Sequence, residues 1–148
     1  MRYTPLTKKA MRIAFDAHNG QVDKTGLPYI YHPIAVALQM DTEDEFCAAI
    51  LHDVIEDSDM SLDDLRVAGF PENIVEAVGL VTDDNSIKSD ESYTAYLMII
   101  KQNPIATKVK LADLTHNSDR SRVEEHQIDE PMLIRWERYH KAIKLLES

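Results

Sequence analysis

His52-Asp53-Val54-Ile55-Glu56-Asp57 sets four side chains that can hold a metal or move a proton within a six-residue stretch. The stretch follows the apolar run Phe46-Cys47-Ala48-Ala49-Ile50-Leu51, with Thr42 available as an N-cap, so it reads as the last part of a helix. On a continuous helix His52 and Glu56 stand four apart, as do Asp53 and Asp57, which puts all four in one sector opposite Leu51, Val54 and Ile55. Carboxylates at a helix C-terminus oppose the macrodipole at about 0.3–1 kcal/mol each. Asp59, Asp63 and Asp64 follow, with Arg66 the nearby cation. A solvated acidic helix end is the plain alternative. A His beside an Asp, in a sector without Lys or Arg, favours a bound cation.

Working outward, Gly is scarce and Pro falls at element starts, which favours helices. Thr4-Pro5 is an N-cap followed by Pro at N1, opening an amphipathic helix through Ile13, Ala14 and Ala17. Residues 19 to 31 carry Gly20, Gly26 and Pro28 and read as a loop. His32 precedes Pro33, which biases it away from helical backbone and makes it a loop residue ahead of a short helix through Ile34, Val36 and Leu38. Ser61 with Asp64 resembles a capping box, and Pro71 opens a helix through Ile74, Val75, Val78 and Leu80. Residues 83–90 read as loop, 93–102 and 104–117 as helices broken at Pro104, and 118–130 as a second loop. A last helix from Pro131 carries Leu133, Trp136, Tyr139, His140, Ile143 and Leu146. With no repeat, no low-complexity tract and no convincing strand, the expectation is an all-α, compact fold in which residues 1–148 form one domain.

That length suffices for a real core, and 44% hydrophobic with 28% charged residues is ordinary for a globular chain. The single Cys47 lies among apolar residues and reads as a small core hydrophobe in a reducing compartment. No apolar run is long enough for a membrane span, and Met1-Arg2-Tyr3-Thr4-Pro5 has no apolar stretch behind it as a secretory leader would. The expected location is cytoplasmic. A formal net charge of −10 argues against nucleic acid and would repel a polyphosphate at long range, so a phosphorylated substrate needs a local positive site. Oligomeric state is left open.

Asp113, in Val109-Lys110-Leu111-Ala112-Asp113-Leu114, puts an acid on an otherwise apolar helix face; taken singly it reads as a surface or salt-bridge residue. Together His32, His52, Asp53 and Asp113 supply two imidazoles and two carboxylates, a mixed set that suits Mn²⁺, Fe²⁺ or Zn²⁺ better than Mg²⁺ or Ca²⁺. Three separate segments supply them, so spacing alone is not specific.

These residues resemble the H…HD…D signature of HD-domain phosphohydrolases. The surrounding text, Ala17-His18-Asn19-Gly20-Gln21, Gly26-Leu27-Pro28-Tyr29-Ile30-Tyr31-His32-Pro33, Leu51 to Asp57 and Lys110-Leu111-Ala112-Asp113-Leu114-Thr115-His116-Asn117, resembles the hydrolase domain of the RelA/SpoT-type alarmone enzymes. That resemblance implies removal of the 3′-diphosphate from guanosine tetra- and pentaphosphate. It implies a divalent ion, usually Mn²⁺, on His32, His52, Asp53 and Asp113, with Glu56 and Asp57 as the acidic pair of hydrolysis. It also implies that Asn117 and Lys24 touch substrate, with Arg120 a further candidate for phosphate charge. The larger members continue into a synthetase domain, so a chain of this length resembles the small stand-alone hydrolases. Asp23-Lys24 stands where the family usually has Arg-Lys, and Ser118-Asp119-Arg120 where many members carry a Met-Arg-Thr-like stretch. The chemistry is implied; the base is left open. Another phosphorylated nucleotide, such as NADPH or a nucleoside phosphate, and a non-catalytic nucleotide-binding module are the alternatives. His18 and His116 are expected in hydrogen-bonded structural roles, His126 in solvent, His140 as a packing or surface residue, and Trp136 with Leu133 and Tyr139 as core stripe.

Overall fold

In the computed structural model, which describes residues 3–148, Met1 and Arg2 at the start of the stretch read for a leader lie outside the described residues. The helices are α1 Pro5–Ala17, α2 Tyr31–Ala37, α3 Glu43–Ile50, α4 Val54–Asp57, α5 Leu62–Val67, α6 Glu72–Val81, α7 Asp90–Lys101, α8 Pro104–Asn117 and α9 Glu130–Glu147. Two 3-10 turns precede α9, and the only β pairing among the described residues is an isolated bridge between Val22 and Pro28. The all-α expectation therefore holds. Among the described residues, no helix is long and apolar enough to cross a membrane.

Most starts are set by side chains visible in the sequence. Thr4, Thr42, Ser61, Asn103 and Asp129 each accept from the backbone N–H three residues on, satisfying a donor the helix itself leaves unpaired. α7 begins at Asp90, ahead of the expected Tyr93, because Ser89 and Ser92 form a reciprocal capping box.

The core is organised around α3, whose residues Phe46 to Ile50 are all buried and which packs against α1, α2, α6 and α8. α7 and α9 close the other side of α8. Cys47 is a free, fully buried thiol, and burial pushes it up to about 12, so it behaves as the small hydrophobe expected.

Two local readings are corrected. The stretch ending at Asp57 is not one helix: α3 stops at Ile50 and a turn through Leu51, His52 and Asp53 precedes the one-turn α4. The cause is His52 itself, whose Nδ1–H donates to the Ala49 carbonyl at 2.6 Å, the oxygen that a continuing helix would offer to the amide of Asp53. His32, expected in a loop, lies in the first turn of α2, where Pro33 is tolerated.

Leu51 is fully buried at the break between α3 and α4. Leu51→Ala is expected to cost about 2–5 kcal/mol in urea unfolding, the range for a large-to-small core change.

Candidate metal centre

The turn after α3 does what a regular helix cannot: it aims two consecutive side chains, His52 and Asp53, at the same point. In a helix, neighbours diverge by about 100°. α2 brings His32 to that point and α8 brings Asp113. Ligand atoms of His32, His52 and Asp53 lie within 4.8 Å of one another. Asp113 Oδ1 is 2.9 Å from His32 Nε2 and 3.4 Å from His52 Nε2, while Asp53 Oδ2 is 3.1 Å from His52 Nε2 and 3.9 Å from His32 Nε2.

Both imidazoles are buried, and so is Asp113. His52 Nε2 is buried with no oxygen aligned to hydrogen-bond it, although two carboxylates stand close. Its Nδ1–H is committed to Ala49, so Nε2 is the nitrogen that faces the cluster. A nitrogen aimed between two carboxylates is what a shared cation requires, and this donor set fits a divalent ion.

Neighbouring side chains hold three of these four groups in place, and the sequence reading gave Tyr29 and Lys110 among them no role. Tyr29 Oη donates to Asp53 Oδ2 at 2.5 Å. Lys110 Nζ donates to Asp113 Oδ2 at 3.0 Å and Asn117 Nδ2 to Asp113 Oδ1 at 3.0 Å. His32 Nδ1 lies 2.7 Å from His116 Nδ1, so one of the pair carries the proton. An ion on His32 Nε2 requires it to be His32, and His116 suits the acceptor role: burial, with the charges of Arg122 and His32, pushes it down to about 4. The Lys110–Asp113 and Asn117–Asp113 contacts are i,i+3 and i,i+4 pairs on α8, the local spacings that sequence holds. The cluster is thus not without cations; Lys110 arrives from another element.

Charge is strongly organised here. Burial disfavours the ionised forms, yet the His52 charge holds Asp53 down at about 2, and Lys110 with the two imidazoles holds Asp113 well below the usual carboxylate range. Burial likewise disfavours charge on His52, but Asp53 and Asp113 override it and raise the imidazole well above its ordinary value.

Glu56 and Asp57 stand at the outer edge of the cluster. Burial of its inner side, with the charge of Asp53, pushes Glu56 up to about 7 against an opposing 2.5 Å hydrogen bond from the Asp83 N–H. Burial also raises Asp57, against Gln21 Nε2, which donates to it at 3.2 Å. Gln21 is held in turn by His18 Nδ1 at 2.9 Å, so His18 and His116 both have the hydrogen-bonded roles expected of them. His126 and His140 are exposed.

A cavity of about 320 Å³ opens beside His32, and its wall includes Lys24, Asn117, Trp136 and Tyr139. Arg120 is not on that wall: it faces Glu125 at 3.6 Å and lies over the Trp136 ring, while Arg122 and Arg135 line the cavity instead. Trp136 and Tyr139 are correspondingly more than core stripe, and Leu133 is 46% exposed.

A family model described as HD domain matches residues 10–108, ending before Asp113. The Escherichia coli (strain K12) protein named bifunctional (p)ppGpp synthase/hydrolase SpoT is 36% identical over 121 residues, 74% of this chain and 17% of that protein. The Vibrio cholerae protein named guanosine-3′,5′-bis(diphosphate) 3′-pyrophosphohydrolase is 37% identical over 117 residues, 71% of this chain and 16% of that one. The chain thus spans about one sixth of the length of these curated relatives. A solved structure described as a metazoan ortholog of SpoT that hydrolyses ppGpp superposes with a TM-score of 0.82 at 24% identity, covering 100% of this chain and 89% of that one. At that identity the likeness is one of fold.

Asp53→Ala and Asp113→Ala are expected to lose bound divalent ion in elemental analysis, each removing charge and geometry from the set. Ion binding to the wild type should release protons and weaken as pH falls, because the cation replaces the proton that His52 holds above its ordinary pKa. Calorimetry in buffers of different ionisation enthalpy measures that release.

Proposed function

The chain belongs to the HD-domain family, and from that premise we propose that it is a metal-dependent phosphohydrolase of phosphorylated nucleotides, acting in one domain over residues 1–148. The substrate we infer is guanosine 3′,5′-bis(diphosphate), cleaved at the 3′-diphosphate. One observation carries the reading: two buried imidazoles and two carboxylates converge beside a cavity lined by cations and aromatic rings, with Glu56 and Asp57 one turn beyond the His52-Asp53 pair. The relatives' names point to the same substrate.

His32, His52, Asp53 and Asp113 would hold the ion, Mn²⁺ by the resemblance, with Fe²⁺ or Zn²⁺ compatible with the same donors. Bound there, such an ion supplies Lewis-acid polarisation and a more acidic water. Glu56 is the proposed base, since a carboxyl near 7 can both take and hold a proton at neutral pH. Asp57, fixed by Gln21, orients the water. Lys24 meets phosphate charge and Asn117 the sugar. A non-catalytic binding module is disfavoured by this acid pair, which would only repel a bound polyanion.

Glu56→Gln and Asp57→Asn should keep the ion and the fold while losing roughly 10²–10⁴-fold in turnover. The wild-type rate should rise with pH through a limb at or below about 7, since the base works only when deprotonated and a nearby cation lowers its pKa. Glu56→Gln should erase that limb. Phosphate and diphosphate release across guanosine tetraphosphate, NADPH and nucleoside phosphates, with Mn²⁺ or chelator, tests the substrate; release from none of them removes the proposal.

A further inference from the structure

Asp23, an acid where the resemblance leads one to expect an arginine, lines the cavity with both carboxylate oxygens already engaged. Its Oδ1 accepts from the Thr25 amide at 2.8 Å, the Thr25 hydroxyl at 2.6 Å and the Leu27 amide at 3.1 Å. These contacts close the loop between α1 and α2, where Gly26 takes φ +91° and the Asp23 amide donates to the Leu27 carbonyl at 2.8 Å. Burial alone would raise the Asp23 carboxyl, but the Thr25 and Leu27 donors and Arg122 more than reverse it, so the group is fully charged at neutral pH.

The other oxygen, Oδ2, lies 3.4 Å from Arg122 Nη2, across the cavity mouth and 99 residues away in sequence. Arg122 Nη1 donates to the His116 carbonyl at 2.8 Å, an oxygen in the last turn of α8 that also accepts from the Asp119 N–H at 3.3 Å. The guanidinium is thus fixed at two points on a cavity wall, with its side chain 24% exposed and N–H donors to spare. Its hydrogen bonds go to Asp23 and the His116 carbonyl rather than to any of the four proposed ligand residues.

We propose that Arg122 is a specificity-determining residue that receives a second phosphate group of the nucleotide, distinct from the one hydrolysed, and that Asp23 is its positioning residue. This rests on reading the site as a nucleotide hydrolase. A divalent ion and Lys24 can answer the scissile group, yet the cavity carries Arg122 and Arg135 as well, against Asp23 and Asp119. In a chain of net charge −10, cations kept on one cavity wall imply an anionic ligand group there. A planar fork already fixed by two acceptors loses little freedom on meeting a phosphate and can bind it bidentately. The cation expected from the loop before α2 is in this chain supplied from the turn after α8, with the loop's acid as its clamp.

Calorimetry on the Mn²⁺-loaded full chain tests this with two probes. GDP carries the 5′-diphosphate and no 3′ group; inorganic phosphate stands in for the scissile group. Arg122→Met should weaken GDP binding roughly ten- to a hundredfold, the range for a hydrogen-bonded charge, with inorganic phosphate changed by less than about twofold. Arg122→Lys should fall between, keeping charge without the fork. Asp23→Asn retains the Oδ1 acceptor but not the ion pair, and should weaken GDP several-fold, appearing in turnover as KM rather than kcat. Unchanged GDP binding in Arg122→Met, or equal loss of both probes in Arg122→Met and Arg122→Lys, overturns the assignment. Arg122-dependent GDP binding without Mn²⁺-dependent hydrolysis of any of the nucleotides above would instead end the proposed function and leave this phosphate site standing.

Discussion

Asp53 and Asp113 sit with side chains 17% and 10% exposed at the meeting of α2, α8 and the turn after α3, and negative charge so far out of water must be answered. The surrounding structure is arranged to do so. Lys110 faces Asp113, Tyr29 faces Asp53, and the imidazoles stand between the two acids. A bundle built only for stability would fill this junction with aliphatic side chains. Retaining charge here gives the junction the donor set of a cation site and leaves it dependent on several hydrogen-bond donors from separate segments.

The helical architecture was legible because its signals are local. Asn103 and Pro104 start α8 where the sequence reading puts it, and Thr4, Thr42 and Ser61 cap as their positions suggest. Local signals fail where a side chain competes with the backbone ladder. No Gly or Pro marks the break after Ile50, because the agent is a histidine ring seizing a carbonyl. The four proposed ligand residues could be nominated through resemblance, and the structure brings their side chains together. Their supports, Tyr29 and His116, were not legible as such, since each acts on a residue in another element.

The same limit explains the basic residues. Arg120 follows Asn117 by three positions and looked placed for phosphate, yet the 3-10 turn rotates it toward Glu125 and delivers Arg122 to the cavity. Asp23 read only as a departure from the basic pair that the resemblance leads one to expect. Its pairing with Arg122 spans 99 residues, a relation that no window of sequence contains.

The hydrogen bond from the Asp83 amide to Glu56 ties the acid pair to the segment between α6 and α7, where Asn85 adopts φ 71°. That segment supplies neither ligands nor cavity wall. Its backbone nonetheless contributes to the proton affinity of Glu56, so changes in its length or conformation can retune an acid without altering the His/Asp cluster. Such a loop is a place where sequence drift can adjust the pH response of a site while its donor set stays fixed.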